Sequence, residues 1–312
     1  MTKQVADQTL ALENAAQLPI SEVRDYIALL KPGVMTLVVF TGAVGLLIAP
    51  GSIHPFLGLV AIACIAVASG AAASINMWYD RDIDNIMSRT QNRPLPAGTL
   101  KPLEALGFGV SLSVVSVSVM AIFVNISAAA WLITTIIYYV LIYTIWLKRR
   151  TPQNIVIGGA AGAFPPLIGW IAVTGTAEPN AWVLFMIIFL WTPPHTWALA
   201  LYRSSDYEAA NIPMMPVVVG HRKTAMQMLI YTAVLVPVTL LPTLLDISGR
   251  VYMTAAIILG IGFLRHAIVV FNDDDVQKAR NMFFFSIFYL FMIFVFLLVD
   301  KTLITFFPGT FL

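Results

Sequence analysis

Apolar stretches long enough to cross a bilayer recur nine times along this chain, at roughly 34–49, 55–77, 105–125, 128–147, 154–174, 181–201, 224–245, 251–271 and 282–299. A helix rises about 1.5 Å per residue, so about 20 apolar residues match the hydrocarbon thickness of a membrane. Backbone in hydrocarbon must satisfy its own hydrogen bonds, and isolated runs of this length do so as helices. The pattern predicts an all-α integral membrane protein with nine transmembrane helices. The first stretch is short and can begin nearer Asp25. With 59% hydrophobic and 11% charged residues in 312, the soluble globular classes are excluded. The single cysteine, Cys64, lies in an apolar run, can form no internal disulfide, and reads as a small core residue.

Charge placement sets the expected topology. All but Arg250 and Lys301 of the 18 Lys and Arg residues fall on one side of the alternating connections. The positive-inside rule places that side, with the N-terminus and the long loops, in the cytoplasm and the C-terminus outside. Residues 1–21 lack a basic stretch followed by an apolar one and read as a flexible cytoplasmic tail. Residues 22–300 form a single polytopic domain, and 301–312 a short outside tail.

Two loops on the basic side are longer than turns require, at 78–104 and 202–223. Asn76, Asp80 and Asp84 lead into the first. A step of four residues turns a helix by about 40°, so the three share one face of a continuous helix, and Asp82 points elsewhere. Stacked carboxylates at the end of a spanning helix repel each other and are costly to desolvate. A divalent cation removes both objections, and Mg²⁺ prefers oxygen ligands and is held by one or two carboxylates plus substrate phosphates. Arg93 stands before Pro94-Leu95-Pro96, which stiffens its turn, and a guanidinium matches phosphate oxygens two at a time. Lys148, Arg149 and Arg150 either set topology or close over a diphosphate. Asp206 in the second loop either faces Asp80 and Asp84 across a cavity or is a solvated loop acid. The two loops lie four spans apart, which suggests a pseudo-repeat of two bundles. His195 follows Pro193-Pro194. It can ligate a haem iron, act as a base, or hydrogen-bond a broken helix. The small residues at 68–74 and 158–162 permit close helix approach.

Asn76-x3-Asp80-x3-Asp84 followed by Arg93-Pro94 resembles the first motif of the UbiA superfamily of intramembrane prenyltransferases. The runs Lys148 to Gly162, Pro194 to Ala200 and Asp206-Tyr207 through Ile212-Pro213-Met214 resemble its haem-farnesylating branch, and the likeness covers about residues 22–300. The resemblance implies nine helices around a central cavity open to the cytoplasm. It implies Mg²⁺-dependent transfer of a farnesyl group from farnesyl diphosphate to a vinyl group of haem b, giving haem O and diphosphate, in the cell inner membrane. By position it makes Asp80, Asp84 and Asp206 catalytic and, with Asn76, metal-binding. It puts Asn76, Arg93, Lys148 and Arg149 on the diphosphate and leaves His195 as the haem candidate. The implied partners are farnesyl diphosphate, haem b, the lipid bilayer, and haem A synthase or oxidase assembly factors; no nucleic acid is implied. Two positions depart from the superfamily: Ala210 where a second acid is usual, and Gly33 where an Arg is common. Ala210 counts against the rival reading, a quinone-pathway aromatic prenyltransferase. A cation-coupled transporter, the other rival, would carry its acids near the midplane rather than at one face.

Overall fold

The computed structural model describes residues 21–306, and all regular structure among them is helical. Among the described residues eight helices are long and apolar enough to span a membrane, and a pair bent by 55° makes a ninth when taken as one span. That pair is α1 (Val23–Leu29) and α2 (Pro32–Ile48). The bend follows from Pro32, which has no N–H to donate and disfavours helical backbone in the residue before it. Lys31 accordingly adopts a left-handed conformation, with φ 53°. The first span therefore begins earlier than the apolar run suggests, and it is broken.

The others are α3 (Pro55–Tyr79), α4 (Pro102–Val124), α5 (Ile126–Leu147), α6 (Asn154–Thr174), α7 (Pro179–Tyr202), α8 (Met215–Leu244), α9 (Arg250–Asn272) and α10 (Val276–Phe306). Proline occupies the first helical position of α2, α3, α4 and α7, where a missing N–H costs nothing. Residues 301–306, read from sequence as tail, continue α10. Residues 1–20 and 307–312 of the expected tails lie outside the described residues.

Each helix packs on the next, and α10 returns against α2, so the bundle closes as a ring. The largest contacts across it are α2 on α6 and α7 on α10, and α3 also touches α5 and α6. The α2–α6 crossing is backbone to backbone. A Cβ on Gly45 would lie 2.1 Å from the Pro166 carbonyl oxygen, and one on Gly169 would lie 2.1 Å from that of Gly42. Only glycine permits this approach.

Gly220, with φ 78°, kinks α8, and two other spans depart from α-helical winding. Met120–Val124 in α4 and Tyr138–Leu147 in α5 wind as π-helix. The second is ten residues long and ends with the Lys148 N–H donating to the Tyr143 carbonyl at 2.9 Å. Such wider turns concentrate at functional sites.

At the opposite end of the bundle, the buried Asp300 carboxylate accepts from the backbone N–H groups of Gly249 and Tyr252, capping α9 from α10. Asp300→Ala leaves those donors unpaired and is expected to cost about 1–3 kcal/mol. A lowered thermal midpoint of the detergent-purified chain checks this; an unchanged midpoint contradicts it.

Candidate active site

The acid row sits where α3 ends. Asp80 has ψ 8° and terminates the helix, and a separate turn, Arg81–Asp84, follows. The continuous helix expected through Asp84 is therefore broken at Asp80. The Asp84 N–H still donates to the Asp80 carbonyl at 2.9 Å, so the four-residue spacing survives the break. Asn76, Asp80 and Asp84 are all buried, at 4%, 1% and 3% exposure.

Buried carboxylates persist only when paired, and each one here is. Lys148 forms an ion pair with Asp80 Oδ2, and Arg149 Nη2 stands 3.4 Å from Asp80 Oδ1. Arg93 Nη1 reaches Asp84 Oδ2 at 2.8 Å. Asn76 links the row to the hinge: its Oδ1 accepts from Lys31 Nζ at 2.8 Å, and its Nδ2 donates to Asp80 Oδ2 at 2.7 Å and Thr144 Oγ1 at 3.2 Å. Arg149 also clamps Asp82 with two bonds of 2.7 Å. These bonds hold the Asp82 carboxyl below the usual carboxylate range.

Local structure explains how these side chains converge. Leu95, between its two prolines, is buried in a small cluster with Leu29, Met77 and Leu100, which fixes the loop that carries Arg93. The π-helical end of α5 delivers Thr144 and Lys148 to the row and Tyr139 and Tyr143 beside it, with ring centroids 5.4 Å apart. Gly158 makes room for Tyr143, since a Cβ there would lie 2.2 Å from its ring.

Beneath the row, an apolar cavity encloses about 160 Å³ between α2, α3, α5 and α6. Lys31 and Tyr139 lie at its polar end; Ile65, Leu132 and Ile168 are among its apolar walls. The cavity thus occupies the first half of the ring.

Asp206 comes to the first loop, but through Ser88, whose Oγ donates to its carboxylate oxygens at 2.9 and 3.1 Å. Among the described residues no three acid, histidine or cysteine side chains gather closely enough to hold a metal ion. Asp80 and Asp84 nonetheless fit Mg²⁺, which takes one or two carboxylates and completes its shell with water and phosphate. Their donor set is all oxygen, and cations already neutralise it in this arrangement.

Ala210 is buried in an apolar cluster with Ile83, Met87, Ile155, Ile212 and Met214 that joins the two loops. An acid at 210 would enter that cluster rather than the row. His195 lies on α7, stacked between Trp191 at 4.1 Å and Phe283 at 4.8 Å, with Nδ1 2.7 Å from Ser286 Oγ on α10. It does not line the cavity. Of the other aromatics, Tyr79 lies under the Arg149 guanidinium, and Trp197 packs edge-on against Tyr231.

Two site residues, Lys31 and Thr144, carry no motif in the sequence. Lys31 reads there as a topology charge, while Gly33, where an Arg is common, is exposed with nothing within 4 Å of its Cβ position. The available signal was a lysine directly before proline at the start of a span.

Residues 38–295 match the UbiA prenyltransferase family. A protoheme IX farnesyltransferase of Parvibaculum lavamentivorans is 54% identical over 288 residues, 91% of each chain. One of Granulibacter bethesdensis is 52% identical, covering 93% of this chain and 95% of its own. Among solved structures, a digeranylgeranylglyceryl phosphate synthase superposes with TM-score 0.75 at 20% identity, over 89% of this chain and 98% of the other. A UbiA homologue from Archaeoglobus fulgidus bound to DMAPP and Mg²⁺ gives 0.64 at 16%, over 88% and 99%. These structural likenesses are of fold.

Proposed function

Because the chain belongs to the UbiA prenyltransferase family, we propose that it transfers the farnesyl group of farnesyl diphosphate to a vinyl group of haem b, giving haem O and diphosphate. The observation that carries this reading is the match over nine-tenths of its length to relatives named for that reaction. The geometry supports it: an apolar cavity ends at a row of acids ringed by cations.

The residues divide the work. Asp80 and Asp84 would hold Mg²⁺, with Asn76 next to Asp80 and Asp206 as the candidate ligand from the second loop, and the ion would supply positive charge for the departing diphosphate. Lys31, Arg93 and Lys148 exchange their present oxygen partners for phosphate oxygens and meet the negative charge that develops as the allylic C–O bond breaks. Arg149 stays anchored on Asp82 and adds positive potential. The cavity walls hold the isoprenoid tail and exclude water. The faces of Tyr139 and Tyr143 stabilise the allylic cation. The vinyl carbon attacks that cation, and water then supplies the hydroxyl with loss of a proton.

The basic residues that surround the row support a site open to the cytoplasm of an inner membrane, with the C-terminus outside. Haem A synthase or oxidase assembly factors are the neighbours that would take the product.

Lys148→Gln removes a cation from the leaving group and is expected to lower kcat/KM for farnesyl diphosphate by about 10²-fold. Arg93→Lys keeps the charge but loses the fork and is expected to act mainly on KM. Steady-state kinetics in nanodiscs checks both; wild-type constants in either variant remove that residue from the diphosphate site. The function itself is tested by offering the purified chain farnesyl diphosphate, Mg²⁺, haem b and 4-hydroxybenzoate together. Mass detection of haem O alone supports the reading; a prenylated benzoate moves the chain to quinone chemistry.

A further inference from the structure

Gly162 is the one glycine in the wall of the cavity, and packing does not account for it. Gly158 and Gly159, one turn earlier in α6, are held by their neighbours: a Cβ there would lie 2.2 Å from the Tyr143 ring and 2.8 Å from Thr192 Cγ2. Nothing lies within 4 Å of the Cβ position of Gly162. Its backbone is helical, in the body of α6, where glycine is a poorer helix former than alanine. Every other residue from 158 to 172 is buried, so the surface that Gly162 exposes belongs to the cavity it lines.

The depth of the cavity follows from the helices that wall it. Ile65 is its deepest residue on α3 and lies eleven residues from Asn76 of the acid row, about 16 Å by helix rise. Leu132 and Ile168 are the deepest on α5 and α6, and all three are at most 2% exposed. One turn further on, Ala61, Ala128 and Ile171 are fully buried in the core, which closes the floor. An extended chain advances about 1.2 Å per backbone bond, so the eleven bonds of a farnesyl main chain span about 13 Å and the fifteen of geranylgeranyl about 18 Å. The first fits above the floor and the second overruns it. Gly162 stands about 9 Å above Ile168 by helix rise, so the third isoprene unit has to pass it.

We propose that Gly162 and the floor of Ile65, Leu132 and Ile168 set the length of prenyl chain that the protein accepts. Gly162 supplies the clearance for a third isoprene unit, and the floor stops a fourth. The proposal rests on the prenyl-transfer reading, with the tail in this cavity. A methylene group too many in an apolar pocket costs about tenfold or more in specificity.

The test offers the full chain in nanodiscs, with Mg²⁺, the dimethylallyl, geranyl, farnesyl and geranylgeranyl diphosphates. Binding is read by displacement of radiolabelled geranyl diphosphate, and transfer by the mass of prenylated haem b. The wild type is expected to favour farnesyl over geranylgeranyl by about tenfold or more in both readouts. Gly162→Leu fills the clearance and is expected to weaken farnesyl by about 100-fold while geranyl changes by less than about threefold. Gly162→Ala is expected to keep or raise the thermal midpoint. Ile65→Ala is expected to bring geranylgeranyl within about threefold of farnesyl, and Ile65→Val, which keeps most of the packing, to move it part of the way. A folded Gly162→Leu that handles farnesyl as the wild type does, or a wild type that handles the two longer donors alike, overturns the proposal. If haem stays unprenylated while the binding preferences and their shifts hold, the length limit stands and the haem-acceptor reading falls; if no prenyl diphosphate binds, both fall.

Discussion

Asp80→Asn is expected to lower prenyl transfer by about 10³-fold or more while the chain stays folded. Asp80 is the most connected member of the row. It is 1% exposed, and its two oxygens receive Lys148, Arg149 and Asn76. Asparagine keeps the shape and removes the charge, so the site loses a carboxylate for the metal and the partner that holds Lys148 in place. Removing one member of a fully buried ion pair costs about 3–5 kcal/mol, because the other is left uncompensated. Here the loss is smaller, since the Lys148 side chain is 19% exposed and Arg149 keeps Asp82. Activity should therefore fall far more than stability. Haem O formation and the thermal midpoint, measured on the same preparation, separate the two. Near wild-type turnover in Asp80→Asn would take the row out of the chemistry.

Gly169→Ala is expected to act on the fold instead, costing more than about 3 kcal/mol, so that the chain fails to accumulate in the membrane. The added methyl would sit 2.1 Å from the Gly42 carbonyl oxygen and 2.9 Å from the Leu46 nitrogen. Both are backbone atoms of α2 and have no rotamer with which to yield. Pushing α2 away would also open the cavity it shares with α6. Gly107→Ala is the control: nothing lies within 4 Å of its Cβ position, and alanine is the better helix former. Membrane yield and thermal midpoint of the two variants check the contrast. Equal behaviour would mean that the α2–α6 approach is looser than described.

Much of this was legible in the sequence because its signals are local. Apolar length gave the spans, and the spacing of Asn76, Asp80 and Asp84 gave a shared face that survives a helix break at Asp80. The hidden parts depend on tertiary structure or on unusual backbone. A ten-residue π-helix has no sequence periodicity of its own that marks it, yet it decides that Thr144 and Lys148 reach the row. Lys31 becomes a site residue only because Pro32 bends the first span and turns it inward. Ala210 reads as a missing ligand until its neighbours Ile83 and Met87 are seen, and then as part of the apolar joint between the loops. Spacing leaves Asp206 either facing the row or solvated in its loop, and the contact that it makes, with Ser88 one turn beyond Asp84, is tertiary.

The location of the isoprenoid tail is the claim on which the site stands. Photoaffinity labelling with a farnesyl diphosphate analogue bearing a diazirine at its far end, followed by peptide mapping, measures it directly. Labels are expected on the walls formed by Ile65, Leu132 and Ile168, and they should vanish when unlabelled farnesyl diphosphate competes. Competed labels confined to α8 and α9 would show that the tail lies elsewhere and would contradict the account.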